Sequence, residues 1–97
     1  TNPEELVAAA HAGCFAMALS FALSKEGLPP EELHVSSTLV MDKDTGWFAK
    51  EIVLELRAKV AGISQEKFLE LAEGAKKNCP VSRMLGAVSI SLDAKLL

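Results

Sequence analysis

The most distinctive hydrophobic pattern in the sequence is an apolar run from Leu6 to Leu23, in which no residue carries a formal charge at neutral pH. Asn2 is a suitable N-cap, Pro3 suits the first helical position, and a glycine and two prolines follow the run. The run therefore predicts one helix from about Pro3 to Glu26. Because apolar residues occupy nearly all of its faces, we expect a central helix that is buried on most sides.

A membrane span and a signal peptide are the alternative interpretations of this run. A span needs about 20 apolar residues, close to the length found here, whereas a signal peptide begins with a positively charged segment. Instead, Glu4 and Glu5 precede the run, and its many small residues make it only weakly hydrophobic. The pattern favours the central helix of a soluble protein, with no membrane as a partner.

The rest of the chain predicts three strands and a second helix. Leu33–Met41 and Trp47–Val60 are rich in β-branched and alternating apolar residues, which predicts two strands paired as a hairpin. Ser64 caps an amphipathic helix, a short helical turn follows, and Val88–Leu96 alternates strictly as a final strand. Strands with one polar face are typical of antiparallel sheets. We therefore predict an α+β fold, in which the long central helix and the amphipathic helix pack against an antiparallel sheet.

Composition limits both size and partners. The chain has 97 residues, enough for one domain. Its net charge is −3 and it has no basic stripe, which argues against a nucleic-acid-binding protein. A buried 24-residue helix would be about 36 Å long, which is a large surface for so small a chain to cover, so we expect an oligomer. Two cysteines and no visible secretory signal predict a cytoplasmic protein.

Two thiols and a histidine are the candidates for chemistry. Cys14 lies in the apolar helix, where a cysteine is commonly a small buried hydrophobe and needs a partner to react near pH 7. His11, three residues earlier, shares its helix face; it either tunes the thiol or, as we expect, satisfies a carbonyl. Cys79 lies at a helix-to-turn junction before a proline, a setting more typical of a functional loop cysteine than of a core one.

The surroundings of Cys79 predict an ionisable thiol. Lys76, Lys77 and Arg83 make this part of the sequence electropositive, which favours a thiolate, although a solvated surface charge is the simpler interpretation of Arg83. Cys14 and Cys79 would form a redox pair if the fold brought their Cα atoms within about 7 Å. The sequence leaves this open.

A metal site is the alternative use of these residues. His11 and Cys14 could face one ion, with Cys79 and His34 completing a tetrahedron. The sequence contains no C-x-x-C or H-x-x-x-H pair, and His34 opens a strand far along the chain. We therefore expect no metal and no bound cofactor.

The whole pattern resembles the OsmC/Ohr family of thiol-dependent organic hydroperoxide reductases. The resemblance rests on TNPEELVAAAHAGCFAMALS at the start and on CPVSR after the amphipathic helix. HAGCF and CPVS resemble the OsmC branch more than the Ohr branch. The resemblance covers essentially all of residues 1–97, which it identifies as an OsmC-like domain, the later part of a longer family domain.

The resemblance implies roles for three positions. Cys14 matches the peroxidatic cysteine, Cys79 matches the resolving cysteine that forms a disulfide with it, and Glu4 matches a glutamate that works with an arginine to activate the thiolate. It further implies an intertwined homodimer, an organic hydroperoxide as substrate, and an external dithiol or lipoylated protein as reductant.

One departure from the family pattern leaves two hypotheses open. The family arginine lies in strands that precede TNPE, and neither Arg57 nor Arg83 matches it. Either those strands lie outside this sequence, or the arginine is lost and the chain is a non-enzymatic binding module for an apolar ligand. Independently of the family, Glu4 and Cys14 are about 15 Å apart along one helix. Both can act on one substrate only if the glutamate comes from a partner chain.

Overall fold

A computed structural model describes all 97 residues of the chain. The predicted order of helices and strands is confirmed, and the family resemblance correctly indicates an α+β architecture. The elements are α1 (Pro3–Lys25), β1 (Glu32–Lys43), β2 (Trp47–Lys59), α2 (Gln65–Asn78), α3 (Pro80–Met84) and β3 (Ser89–Leu96).

Helix α1 begins and ends where its capping residues predict. The side chain of Asn2 accepts a hydrogen bond from the Glu5 N–H at 2.8 Å, which satisfies one of the free donors at the helix N-terminus. At the other end Gly27 has a φ of +74°, a left-handed conformation that glycine adopts at little cost. Local sequence therefore fixes both ends of the longest element.

The three strands form one mixed sheet in the order β1-β2-β3. β1 and β2 are an antiparallel hairpin with an irregularity between Val40 and Met41, whereas β2 and β3 are parallel. The prediction of a wholly antiparallel sheet is therefore wrong for β3. The crossover through α2 and α3 returns the chain to the starting end of β2, and a connection of that length permits parallel pairing.

The core lies between one face of the sheet and the helices. Every second side chain of β2 points toward α1. The opposite face of the strand carries mostly polar residues and remains in contact with solvent. The fully buried core side chains are Phe15, Leu19 and Leu23 of α1, Ile52, Leu54, Leu56 and Ala58 of β2, and Phe68 and Ala72 of α2.

A single chain buries only one stripe of α1. The buried positions recur every three or four residues, while Met17 and Phe21 on another face are 64% and 73% exposed. The prediction of burial on most sides therefore does not hold within one chain, because the sheet and α2 cover only one side. In length and composition α1 would also suffice to cross a membrane, a property that the core helix of a soluble protein shares.

Candidate active site

The fold brings the two cysteines into direct contact. The Sγ atoms of Cys14 and Cys79 lie 2.8 Å apart, although 65 residues separate them in the sequence. Both are free thiols. The fold thus brings together the sulfurs of the two residues that the sequence offered as a possible redox pair.

Backbone geometry at the α2–α3 junction positions Cys79. Its N–H donates to the Ala75 carbonyl at 2.9 Å, and its own carbonyl accepts from the Arg83 N–H at 3.1 Å. Cys79 is thus both the last cap of α2 and the first cap of α3, with an extended ψ of 125°. Pro80 favours that extended conformation in the residue before it and is well suited to begin a helix. The Cys-Pro pair therefore fixes the corner at which the thiol faces α1.

The two sulfurs differ in exposure. Cys79 is fully buried, so the prediction that it is not a core cysteine is wrong, because the junction packs against α1 instead of facing solvent. Cys14 is half-buried and borders an open hollow of about 400 Å³, whose other lining residues are Met17, Ala18, Phe21 and Pro80. The more accessible sulfur therefore lies in an apolar setting.

A buried polar contact lies beside the sulfur pair. His11 is fully buried, and its Nε2 atom lies 2.6 Å from the Oγ atom of Ser82. The expectation that His11 satisfies a carbonyl is wrong, because its partner is a hydroxyl on α3. Sequence reasoning did not single out Ser82, although it belongs to the CPVSR segment. The Nδ1 atom of His11 is buried without a hydrogen-bond partner.

Burial and hydrogen bonding shift the pKa values of the two thiols in opposite directions. Burial acts to raise the pKa of Cys79, but hydrogen bonding by the Cys14 thiol, by Ser82 and by the Val81 N–H outweighs it, so the pKa lies below its ordinary value. Burial raises the pKa of Cys14, and hydrogen bonding to Cys79 adds to the rise. Burial also lowers the pKa of His11, which keeps the imidazole neutral.

The cations near Cys79 in sequence do not cause the lowered pKa of its thiol. Lys76 is engaged by Glu73 at 3.1 Å and by the Ile90 carbonyl at 3.4 Å, and Arg83 is exposed. Hydrogen bonds, not the predicted electropositive surroundings, lower the pKa of Cys79.

The structure places the remaining candidate residues away from the sulfur pair. Glu4 is half-buried in the first turn of α1, about 15 Å along the helix axis from Cys14. Arg57 lies on the polar face of the sheet, opposite α1, and pairs with Asp93 at 3.3 Å. His34 is exposed on β1, 3.4 Å from Glu32. The alternative metal site is therefore not assembled, since His34 does not join the cysteines.

Comparison with known protein families finds one match that covers nearly the whole chain. The model of the OsmC-like protein family matches residues 1–93. The chain is 42% identical over 97 residues to peroxiredoxin OsmC of Escherichia coli, covering 99% of this chain and 67% of that protein. It is 33% identical over 94 residues to the organic hydroperoxide resistance protein of Xanthomonas axonopodis pv. citri, covering 95% of this chain and 65% of that protein.

Solved structures agree with these sequence matches. The crystal structure of the organic hydroperoxide resistance protein OhrB of Bacillus subtilis superposes with a TM-score of 0.78 at 29% identity, covering 98% of this chain and 70% of that one. An OsmC-like protein from Mycoplasma pneumoniae superposes with a TM-score of 0.87 at 18% identity, covering 99% and 72%, which establishes the fold alone. The chain thus spans about two thirds of the length of these proteins.

Proposed function

Because the chain belongs to the family of OsmC-like proteins, we propose that it is a thiol-dependent peroxidase that reduces organic hydroperoxides. The names of its relatives, a peroxiredoxin and organic hydroperoxide resistance proteins, support a peroxidase-like role. The observation that carries the proposal is the contact between Cys14 and Cys79, since two adjacent free thiols are what a disulfide-forming peroxidase requires.

Accessibility supports Cys14 as the sulfur that meets the peroxide. Its thiolate attacks one oxygen of the hydroperoxide, the O–O bond breaks, and the alcohol leaves with a proton while Cys14 becomes a sulfenic acid. The apolar hollow beside Cys14 fits an alkyl or aryl hydroperoxide better than hydrogen peroxide, because a polar molecule gains nothing from apolar walls. Cys79 is fully buried.

Contact supports Cys79 as the resolving thiol. Its thiolate attacks the Cys14 sulfenic sulfur, a disulfide forms, and the hydroxyl group leaves as water after taking up a proton. An external dithiol then reduces the disulfide and is itself oxidised. No metal or prosthetic group takes part in these steps.

A second chain completes the site in this proposal. Within one chain burial raises the pKa of Cys14, and neither arginine lies beside its sulfur. Glu4 lies too far along α1 to reach the thiol of its own chain. Met17 and Phe21, which are exposed on α1 and line the hollow, are available to pack against a second copy that would close the hollow between the subunits. We infer a homodimer in which Glu4 of one subunit helps to activate the Cys14 thiol of the other.

A turnover assay tests the proposed activity. The protein should consume cumene hydroperoxide in the presence of a dithiol, and Cys14→Ser should abolish consumption. A Ser20→Ala variant, which changes another small polar residue of α1, should retain it. Turnover that survives the loss of Cys14 would overturn the proposal. Binding of an apolar ligand without any turnover would favour the alternative, a non-enzymatic binding module.

Mixing two inactive variants tests the shared site. If Glu4 acts across the dimer, Cys14→Ser and Glu4→Gln subunits should form heterodimers with one intact site, which restores roughly a quarter of normal activity in an equal mixture. If Glu4 acts within its own chain, no mixture regains activity. Sedimentation analysis provides the control, since a fully active monomer would also contradict the shared site.

A further inference from the structure

We propose that His11 and Ser82 are positioning residues, whose buried hydrogen bond fixes the α2–α3 corner on α1 and so holds the Cys79 sulfur against Cys14. The positioning of the two free thiols does not depend on the proposed function. Its effect on the reaction with a hydroperoxide rests on that function, because it needs Cys14 to be oxidised.

Two contacts lie side by side between α1 and the corner. His11 and Cys14 are three residues apart on α1, and Cys79 and Ser82 are three residues apart around the first turn of α3, so the members of each pair share a face. One contact joins the sulfurs at 2.8 Å, and the other joins His11 Nε2 to Ser82 Oγ at 2.6 Å. Two attachments about one helical turn apart prevent the corner from pivoting about either one.

Few other polar interactions hold α3 on α1. The helix has five residues and no side-chain cap, and no backbone hydrogen bond joins it to α1. Leu85 packs against the core at the far end of α3, but apolar packing is not directional. Apart from the contact between the sulfurs, the His11–Ser82 hydrogen bond is the only side-chain hydrogen bond between α1 and residues 79–84.

Burial makes the His11–Ser82 contact costly to break. His11 is fully buried and Ser82 is 7% exposed, and the imidazole has no other hydrogen bond, since Nδ1 lacks a partner. Separation would leave both groups unpaired in a largely apolar interior. A neutral imidazole has one donor and one acceptor nitrogen, and a hydroxyl can both donate and accept, so the bond forms with either tautomer. The positioning therefore does not depend on the ionisation of either thiol.

The two contacts differ in what the proposed reaction does to them. Oxidation adds a hydroxyl group to the Cys14 sulfur, and the Cys14 sulfenic acid and the Cys79 thiol then give a disulfide and one water. The contact between the sulfurs thus changes at each step, whereas no atom of the His11–Ser82 hydrogen bond reacts. The sulfurs need only a short approach from 2.8 Å to bond, so the hydrogen bond can persist in the thiol and disulfide forms.

The consequence is a high effective concentration of Cys79 at Cys14. Because the hydrogen bond orders the corner before the disulfide forms, the reaction does not have to supply that ordering. Without the hydrogen bond, the corner of the thiol form can move away from α1 and expose the unpaired group to water, whereas a disulfide prevents this movement. Loss of the hydrogen bond should therefore destabilise the disulfide relative to the thiols. A contact that served only the stability of the fold would change both forms equally.

Equilibration with a dithiothreitol redox buffer measures this difference without any peroxide. Thiol trapping and mass spectrometry give the fraction of disulfide, and hence the effective concentration of Cys79 at Cys14. Ser82→Ala should lower that concentration roughly threefold to tenfold, since one buried hydrogen bond is lost. Ser82→Thr, which keeps the hydroxyl, should restore it. An unchanged effective concentration in folded Ser82→Ala protein would overturn the positioning role.

Variants on α1 and β1 provide a second test and a control. His11→Phe removes the same hydrogen bond from the other side, should give a similar fall, and keeps the test available if Ser82→Ala does not fold. The double variant should fall no further than either single variant, because both remove one interaction. Additive falls would overturn the pairing. Ser37→Ala removes another buried hydroxyl, one without a partner, and should leave the effective concentration unchanged.

Reaction with peroxide separates the positioning role from the proposed activity. After addition of cumene hydroperoxide, dimedone should capture more of the Cys14 sulfenic acid in Ser82→Ala than in the unmodified protein, because the disulfide forms more slowly. Equal capture would overturn the effect on the reaction. A protein that ignores peroxide but shows the lowered effective concentration would contradict the proposed peroxidase and support the positioning role. Normal turnover with an unchanged effective concentration would do the reverse.

Discussion

The sulfur of Cys14 lies 2.8 Å from the sulfur of Cys79. Cys14 lies in the middle of the long helix α1, whereas Cys79 lies at the junction between α2 and α3. The contact exists because α1 packs against the α2–α3 corner, so the same packing that stabilises the fold also assembles the candidate site.

If Cys79 is the resolving thiol, its loss should redirect oxidation at Cys14. In Cys79→Ser the sulfenic acid has no thiol partner, so excess peroxide should convert it to the sulfinic acid. Mass spectrometry should show a gain of oxygen on the peptide that contains Cys14, and turnover should decay. The unmodified protein should instead lose two hydrogens as the disulfide forms. Identical products in the two proteins would contradict a resolving role for Cys79.

The apolar hollow should determine substrate preference. Phe21→Ser removes one wall of the hollow beside Cys14, and the lost apolar contact corresponds to roughly a tenfold rise in KM for cumene hydroperoxide, with little change for hydrogen peroxide. Trp47→Ser is the matched control, since Trp47 is similarly exposed at 69% but does not line the hollow. Equal losses for both peroxides would show that Phe21 acts on folding or assembly and not on substrate.

The buried imidazole should make the protein sensitive to acid. The pKa of His11 is lowered from 6.5 by burial, so between its folded value and 6.5 the unfolded chain binds a proton that the folded chain does not. The free energy of unfolding should therefore be greatest above pH 6.5 and should fall with decreasing pH by up to about 1.4 kcal/mol per pH unit.

Urea denaturation at a series of pH values measures this dependence. His11→Gln should flatten the curve on the acid side, because the titrating group is gone. His34→Gln is the control, since His34 is exposed and its loss should leave the slope in place. A slope that persists in His11→Gln would assign the acid sensitivity to another group.

Core packing on β2 should dominate stability. Leu54 is fully buried between the sheet and the helices, and Leu54→Ala should lower the free energy of unfolding by about 2–5 kcal/mol through lost burial and a residual cavity. Leu97 is 68% exposed, so Leu97→Ala should change stability by less than about 0.5 kcal/mol. Chemical denaturation of both variants checks the difference, and equal effects would contradict the assignment of the core.

The sequence was most informative where local chemistry decides the structure. Asn2 and Gly27 set the ends of α1, Ser64 accepts from the Lys67 N–H at 3.1 Å as the predicted cap of α2, and alternation identified all three strands. The motifs around Cys14 and Cys79 indicated the family, which the comparisons confirm.

The same reasoning could not predict how strands pair or which residues distant in sequence come into contact. Alternation in β3 specifies which residues face the core but not the direction in which the strand pairs, so the parallel partner of β2 was not predicted. The contact between His11 and Ser82 joins residues 71 apart in sequence, and nothing local to Ser82 distinguishes it from a surface serine. The burial of Cys79 likewise depends on α1 lying across the corner.

Thiol counting tests the central claim most directly. Before oxidation the denatured protein should yield two reactive thiols per chain, Cys14 and Cys79, and after one equivalent of cumene hydroperoxide it should yield none, with full recovery on addition of a dithiol. Intrachain linkage should be confirmed by mass spectrometry of the peptides. Loss of only one thiol, or a count that peroxide leaves unchanged, would contradict the account.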